Sequence, residues 1–457
     1  MHKIPTFIAT IFTALSIQVS ATPRADSTVL PTEPVSAGLT PYESDFTSPE
    51  EFLDYIQRST FDYIWKGAEP TSGMAPERIH LDKQADDANI ITTGGSGFGI
   101  AGIIVAIERG FITRAEGLER LEKITDYLAK ADRFHGVWPH WIDGPTGKVK
   151  PFGKKDNGGD IVESSFLMSG LLIAREYFKN GTAAERRLAE SIDTLWREMD
   201  FEWYTRGGQD VIYWHWSPEY EWEMNFPLTG YNECLITYIL AASSPTHPVS
   251  PEAYHKGWAR SGEIVSEKKY MELPLVLSYN GCQDTGGPLF WSHYSYIGLN
   301  PHGLKDRYAD YWQLTRNHAV TDYLYCVANP KGYKNYGPGC WGLTASYSPE
   351  GYAAHSPVRD LGVITPTAAL ASFPYTPEES MAAAKWMYNQ GEKLRGIYGF
   401  YDAFTSDMAW CPTRYLAIDQ LPIAPMIENY RSGLCWRLFM GAPEIQDGLR
   451  RLGFTFP

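Results

Sequence analysis

About a dozen segments with helical periodicity run from residue 48 to the C-terminus, and this regularity constrains the fold most strongly. The first segment opens at Ser48-Pro49-Glu50-Glu51, which places an N-cap residue, an N1 proline and two acids in sequence. Thr113-x-x-Glu116 and Thr182-x-x-Glu185 are capping boxes that start two further helices. Strands and helices do not alternate along the chain, so a doubly wound sheet or a β/α barrel is not expected.

The segments differ in how they distribute apolar residues. The run at 98–109 is apolar nearly all round, which indicates a buried helix, whereas other segments are amphipathic. Long loops rich in Gly, Trp, Tyr and Pro separate them at 133–159, 203–227, 280–302 and 329–361. We therefore predict one all-α domain over 48–457, in which helix hairpins close into a double ring. The loops are expected to gather at one end and to hold the site.

The N-terminus has the pattern of a secretory signal. Residues 1–21 combine a weak n-region, an apolar stretch and the small-residue cleavage site Val19-Ser20-Ala21. Residues 22–47, rich in Pro, Ser and Thr, are predicted to form a linker or tail. No other segment approaches twenty apolar residues, so membrane insertion is not expected. The predicted location is periplasmic or extracellular.

Composition narrows the possible ligands. The 54 acidic residues outnumber the 40 basic ones, giving a net charge of −14 that disfavours nucleic acid and anionic polysaccharides as partners. Aromatic residues make up 14% of the chain and supply flat apolar faces for ligands. A neutral sugar fits both properties, and a monomer is expected. The histidines lack metal-ligand spacing and Gly94–Gly99 lacks a phosphate-binding context, so neither a metal nor a cofactor is predicted.

The densest group of candidate residues lies at 132–166. A loop with Trp138, His140 and Trp141 precedes Asp156, Asp160 and Glu163. Carboxylates beside aromatic rings at a helix N-terminus suit a sugar site, because carboxylates accept from hydroxyls while rings cover apolar sugar faces. The competing structural interpretation is that Asp160-x-x-Glu163 is a capping box.

Two later stretches carry further candidates. Trp214, His215 and Trp216 precede Glu233, which opens an apolar helix, and burial there would raise the pKa of Glu233 as a general acid requires. The alternative is an acid favoured by the helix dipole. Asp402 and Asp419 lie in the third stretch, Asp419 between a short apolar run and an apolar helix.

Ordered blocks from about residue 50 onward resemble a family of secreted bacterial glycoside hydrolases, often labelled "putative glucoamylase", that includes the endo-β-1,2-glucanases. The blocks include TTGGSGFGIAGIIVAIERGFIT at 92–113, ADRFHGVWPHWIDGPTGK at 131–148, KKDNGGDIVESSFLMSGLL at 154–172, YWHWSP at 213–218, GYNECLITYILAASSPTHP at 230–248, CWGLTAS at 340–346, GFYDAF at 399–404 and YLAIDQ at 415–420. The resemblance implies an (α/α)6 barrel and inverting cleavage of linear β-1,2-glucan without a cofactor. It also implies that the site acids are Asp156, Asp160, Glu163, Glu233 and one near Asp419.

The resulting hypothesis is a β-1,2-glucan hydrolase with Glu233 as general acid and Asp419 as base. Asp160 and Glu163 are expected to hold sugar hydroxyls or water, and either is an alternative base. Substrate contacts are predicted for Asp156, Trp138, His140, Trp141, Trp214, His215, Trp216 and Asp402. The alternatives are an α-glucan hydrolase on the same fold and a non-catalytic glycan-binding protein of an uptake system. A polysaccharide lyase is disfavoured, because it would need basic residues around its cleft.

Overall fold

The structure is a computed structural model of the 457-residue chain, and it describes residues 39–83, 85 and 87–457. The predicted signal peptide and residues 22–38 of the predicted tail lie outside the described residues. The last part of that tail belongs to the folded body, which corrects the boundary at residue 48. A capping box at Thr40 starts a short helix there, and the Tyr42 N–H donates to Asn389 Oδ1 at 2.9 Å. The Tyr42 ring packs edge-on against Phe52.

The described residues are rich in helix, as predicted. The predicted caps at Ser48, Thr113 and Thr182 are confirmed, since each side chain accepts from the backbone N–H of the third residue of its helix. Within the described part of the chain, no helix is long and apolar enough to cross a membrane. The α-helices are α1 Pro41–Asp45, α2 Pro49–Trp65, α3 Thr93–Glu108, α4 Arg114–Leu128, α5 Ile161–Phe178, α6 Ala183–Glu198, α7 Leu235–Ser243, α8 Tyr311–Ala328, α9 Pro366–Leu370, α10 Pro377–Tyr388, α11 Ala417–Gln420, α12 Ile423–Ser432, α13 Leu434–Met440 and α14 Pro443–Arg451.

Helices α3 and α5 form the centre of the core and are buried along almost their whole length. Their backbones touch because both carry glycine where they cross. A Cβ on Gly97 would lie only 2.5 Å from the Leu167 Cα, and a Cβ on Gly170 would meet the Gly97 backbone even more closely. The buried helix predicted at 98–109 is thus confirmed, although it starts earlier, at Thr93. This contact sets the two helix N-termini side by side.

The strands are short, two to four residues each, and lie in the connections between helices. In the described ranges all of them pair antiparallel, in one three-stranded sheet (β2-β3-β4) and six two-stranded ones. They are β1 Arg78–His80, β2 Ile90–Thr92, β3 Trp141–Asp143, β4 Val149–Lys150, β5 Gly159–Asp160, β6 His215–Trp216, β7 Lys269–Tyr270, β8 Leu273–Pro274, β9 Ala345–Ser348, β10 Gly351–Ala354, β11 Val363–Ile364, β12 Arg395–Gly396, β13 Gly399–Phe400, β14 Phe404–Thr405 and β15 Arg414–Leu416.

The small sheets fix the loops that surround the N-termini of α3, α5 and α11. Strand β15 pairs with β1 and leads directly into α11, whose first N–H donates to the Glu77 carbonyl at 2.9 Å. A Cβ on Gly95 in α3 would lie 3.1 Å from the Ile418 N–H group of α11. Three helix N-termini therefore converge, and the acids that begin or precede those helices are brought to one place.

Candidate active site

Strand pairing in the loops places His215 against Asp160. Strand β5 pairs with β6 so that Asp160 lies opposite His215. Asp160 is the N-cap of α5, and its Oδ1 accepts from the N–H groups of Val162 and Glu163 at 3.0 and 2.9 Å. Its Oδ2 lies 3.1 Å from His140 Nδ1 and 3.4 Å from His215 Nε2. Both oxygens of this fully buried carboxylate are therefore engaged.

Asp156 completes a cluster with these residues, here called the His–Asp cluster (His140, Asp156, Asp160 and His215). His215 Nε2 lies 3.2 Å from Asp156 Oδ2. Burial alone would lower the pKa of His140, but the charges of Glu163 and Asp160 raise it to about 10. Burial opposes the charged form of His215 as well, yet hydrogen bonds to Asp156 and Asp160 raise its pKa to about 9. Hydrogen bonds from His140 and His215 hold the pKa of Asp160 well below its usual range against the effect of burial.

The His–Asp cluster has the atoms for a metal site but also a complete internal set of ion pairs. Ligand atoms of His140, Asp156 and Asp160 all lie within 4.8 Å of one another. A metal ion needs neutral imidazole, so it would have to displace the proton that these carboxylates hold on the ring. With both histidines charged, two cations balance two carboxylates. The cluster then presents no net charge to a neutral ligand.

Glu163 does not complete the capping box that its spacing suggests. Asp160 accepts from the Glu163 N–H, but the Glu163 carboxylate turns away and accepts from the Gly94 N–H of α3 at 2.9 Å. A Cβ at position 94 would collide with Glu163 Oε2, so glycine is required there. Burial raises the pKa of Glu163 to about 8, although the charge of His140 opposes the shift. The side chain is thus a proton donor in the neutral range.

Glu233 sits two residues before α7, half-buried, at a turn held by its neighbours. Asn232 Oδ1 accepts from the Cys234 N–H at 3.0 Å, and the Glu233 carbonyl accepts from Ser295 Oγ at 2.5 Å. Burial raises the pKa of Glu233 to about 7, and the charge of Asp160 adds to the shift. The predicted direction of this shift is confirmed, and it gives the protonated form that a general acid needs.

Asp402 and Asp419 are both buried, and their side chains lie within hydrogen-bonding reach of each other. The Tyr294 hydroxyl donates to Asp419 Oδ1 at 3.1 Å, and the Tyr347 N–H donates to Asp402 Oδ2 at 2.8 Å. Burial raises the pKa of Asp402 to about 7. Burial also raises the pKa of Asp419 well above its usual range, and the neighbouring charge of Asp402 adds to that shift. Asp402 therefore belongs with Asp419 rather than standing apart as a separate substrate contact.

Sequence reasoning did not single out Glu77 or Tyr352. Glu77 is buried, and its charge acts on Glu163, Asp402 and Asp419. Its surroundings in the sequence contain no motif that would have singled it out. Tyr352 is 40% exposed on the β9–β10 hairpin, yet it lies within electrostatic reach of the same four carboxyl groups. Two tyrosines flanking the turn Pro349-Glu350-Gly351 are the signal that could have indicated it.

The predicted aromatic platforms divide into two groups. Trp138 is fully buried and its Nε1–H donates to the Leu128 carbonyl at 3.1 Å, so its prediction as a substrate contact is wrong. Its loop passes under α5 and the ring fills the core. Trp141, Trp214 and Trp216 keep part of their surface exposed. Phe152, 52% exposed, stacks on His140 at 4.0 Å and adds a ring that was not predicted.

Comparison with known proteins identifies relatives over nearly the whole chain. A family model described as "Putative glucoamylase" matches residues 225–443. The solved endo-β-1,2-glucanase of Chitinophaga pinensis, in a sophorotriose and glucose complex, is 58% identical with a TM-score of 0.89. The match covers 90% of this chain and all of that one. A putative glucoamylase from Bacteroides caccae is 57% identical with a TM-score of 0.88 over the same shares.

A longer relative is an exo β-1,2-glucooligosaccharide sophorohydrolase of Parabacteroides distasonis, 45% identical over 422 residues. The alignment covers 88% of this chain but only 58% of that protein, so the chain spans little more than half of its length. The endo-β-1,2-glucanase of Talaromyces funiculosus is only 13% identical, with a TM-score of 0.63 over 85% of each chain, and shares the fold alone. From the identity over all of the Chitinophaga pinensis chain, this protein belongs to the bacterial β-1,2-glucanase family of glycoside hydrolases.

Proposed function

We propose that the protein hydrolyses linear β-1,2-glucan to sophorose or short β-1,2-gluco-oligosaccharides, with inversion at the anomeric carbon. The observation that carries this proposal is the 58% identity to an endo-β-1,2-glucanase over all of its solved chain. The raised pKa of Glu233 supports it independently, because glycoside hydrolysis needs an acid that stays protonated near neutrality. The reaction needs no cofactor in this proposal, and the N-terminal signal directs export.

The proposed architecture is an (α/α)6 barrel. The burial pattern supports an inner and an outer ring: α3 and α5 are buried nearly throughout and pack on each other, while the amphipathic α4 and α6 pack on each other outside them. The convergence of the α3, α5 and α11 N-termini then corresponds to the barrel mouth. Acids that open or precede different helices meet there.

In the proposed reaction, Glu233 protonates the oxygen of the scissile bond. Asp419 accepts the proton of the attacking water, either directly or through a substrate hydroxyl. An inverting pair must leave room for that water, so the two carboxyl groups should lie about 6.5–9.5 Å apart, or farther with a hydroxyl relay. Asp160 is suited to neither role, because both its oxygens are engaged. It holds the imidazolium rings of His140 and His215.

Substrate binding follows from the charge and shape of the surroundings. The His–Asp cluster is neutral as a whole, and the partly exposed imidazole rings of His140 and His215 can donate N–H groups to sugar hydroxyls. Glu163, kept protonated by burial, can donate to a sugar oxygen. The partly exposed rings of Trp141, Trp214 and Trp216, joined by Phe152 and Tyr352, supply faces for the apolar sides of glucose units.

The proposal is tested by following the anomer that appears first. Linear β-1,2-glucan is incubated with the protein inside an NMR tube, and fresh reducing ends should appear as the α-anomer before mutarotation. Fresh β-anomer would contradict the inverting mechanism. Glu233→Gln keeps the shape of the side chain but cannot donate a proton, so it should bind the glucan without releasing products.

The description "Putative glucoamylase" favours an α-glucan substrate as the second candidate. The same incubation with starch distinguishes the two, since a glucoamylase-like enzyme would release glucose. A non-catalytic glycan-binding protein would bind β-1,2-glucan and release nothing in the wild-type form. In that case the wild-type protein would behave like the Glu233→Gln variant, so the comparison of the two distinguishes an enzyme from a binding protein.

A further inference from the structure

The contact between Asp402 and Asp419 leaves one oxygen of each carboxyl group without a donor. Asp402 Oδ1 and Asp419 Oδ2 are fully buried, and neither accepts a hydrogen bond from an N–H or hydroxyl of another described residue. The second oxygen of each group is satisfied, by the Tyr347 N–H and the Tyr294 hydroxyl. A buried carboxylate oxygen without a donor is costly. One proton shared between the two carboxyl groups would supply a donor that the rest of the site does not.

Among the residues that the structure describes, no cation next to the pair supplies a compensating charge. Glu77 acts on both carboxyl groups and adds negative charge. The other titratable groups that face the pair are four neutral phenols: Tyr63, Tyr294, Tyr347 and Tyr352. Glu163 lies on the other side of Tyr294. The nearby cation Arg78 acts on Glu77 and Tyr347. Two full negative charges held in contact under these conditions would repel each other with little relief.

We propose that Asp402 and Asp419 form a carboxyl pair that shares one proton, and that Asp402 is the positioning residue through which Asp419 serves as base. The inference rests on the proposed function for the base role, but the shared proton itself does not depend on it. A pair of this kind titrates as one unit rather than as two separate side chains.

The proton balance of the reaction is then complete. At rest the pair holds one proton and one negative charge, while Glu233 is protonated. Water forms its bond to the anomeric carbon and passes its proton to the pair, which becomes neutral with two protons. The glycosidic C–O bond breaks with its electron pair on the leaving oxygen, which takes the proton of Glu233. The pair then releases one proton to solvent and Glu233 regains one.

The rate test is a double-mutant cycle on linear β-1,2-glucan. Asp402→Asn, Asp419→Asn and the double variant are compared by kcat. Each single variant should lose about 10²-fold or more, and the double variant should lose no more than the worse single variant, because either change destroys the same unit. Near-normal turnover of Asp402→Asn, or losses that multiply in the double variant, would overturn the proposal.

The shared proton is tested without activity by the pH dependence of stability. The folded pKa values of the pair lie above the unfolded value of about 4, so the folded protein holds a proton that the unfolded chain has released. Stability from this source is full below about pH 4 and is lost as the pH rises toward about 7. Thermal unfolding midpoints are measured across this window.

For a shared proton, either single variant should remove the same part of the pH slope, and the double variant should remove no more. Two independent carboxyl groups would instead each remove a separate part, and that result would refute the pair. Should Asp402→Asn fail to fold, Asp419→Asn alone must still remove the part of the slope that the pair contributes. This cycle distinguishes failure of the pair from failure of the proposed function, since it needs no substrate.

Asp322 provides a matched control. It is also a buried aspartate with one oxygen lacking a partner, Oδ2, and burial raises its pKa, but Oδ1 is held by the Leu343 N–H away from the acids of the site. Asp322→Asn should lower the pH slope of stability and leave kcat unchanged. Combined with Asp402→Asn, its effect on the slope should add. A non-additive result would mean that the cycle reports general burial of carboxyl groups and would overturn the inference.

Discussion

Gly94→Ala is the change that most selectively displaces one acid of the site. Gly94 is the second residue of α3, and its N–H holds Glu163 Oε2 at 2.9 Å. The added Cβ would fall well under 3.0 Å from that oxygen and at 3.0 Å from Phe166 Cδ2. Ordinary contact begins near 3.4 Å, so the carboxylate must withdraw by about 1 Å or the two helices must separate.

The displacement should cost far more in rate than in stability. A misplacement of about 1 Å can lower turnover about 10²-fold, whereas overpacking a buried site typically costs about 1–3 kcal/mol of unfolding free energy. The assays are kcat on linear β-1,2-glucan and urea unfolding of the same preparation. Gly102→Ala in the same helix is the matched control, because a Cβ there meets nothing within 4 Å.

Gly102→Ala should keep the wild-type rate and gain about 0.5–1 kcal/mol of stability from the better helix former. If Gly94→Ala also keeps the wild-type rate while folding normally, the position of the Glu163 carboxylate does not matter for turnover. The role given to Glu163 would then be refuted.

Three further predictions concern the acid, the hairpin and the metal. Glu233→Gln should lower kcat about 10²-fold or more. In the wild type, activity should fall above about pH 7, where Glu233 loses its proton, and this fall should be absent in the variant. A variant whose activity still falls above about pH 7 contradicts the assignment of Glu233 as the acid. Tyr352→Ala should raise KM for the glucan several-fold and leave folding unchanged. The matched control is Tyr430→Ala, which removes an exposed ring on α12 and should not change KM. Equal effects of the two variants would mean that Tyr352 does not belong to the site. Exhaustive EDTA treatment should leave full activity, and a loss that calcium or zinc restores would mean that the His–Asp cluster binds a metal.

Much of the helical framework can be predicted from local signals in the chain. The caps at Ser48, Thr113 and Thr182 act within their own helices, so residue type and spacing suffice to find them. The burial of α3 follows from its uniform apolar character. The raised pKa of Glu233 could also be predicted, because an acid just before an apolar helix, among Tyr and Asn, has reduced access to water.

The parts that could not be predicted depend on contacts between distant segments. The pairing of β5 with β6 joins Asp160 to His215, and two-residue strands have no periodicity to reveal them. The capping-box spacing at Asp160 and Glu163 indicates a local contact, but the nearby Gly94 N–H competes for the Glu163 carboxylate and takes it. Trp138 has the same residue type and loop as Trp141, and only the packing under α5 separates a core ring from a partly exposed one.

The central claim is the identity of the substrate, and product chromatography tests it most directly. Purified protein is incubated in parallel with linear β-1,2-glucan and with starch, with Glu233→Gln as the inactive reference. The account predicts sophorose or short β-1,2-gluco-oligosaccharides from the first and no products from starch. Release of glucose from starch faster than any product appears from β-1,2-glucan would contradict it.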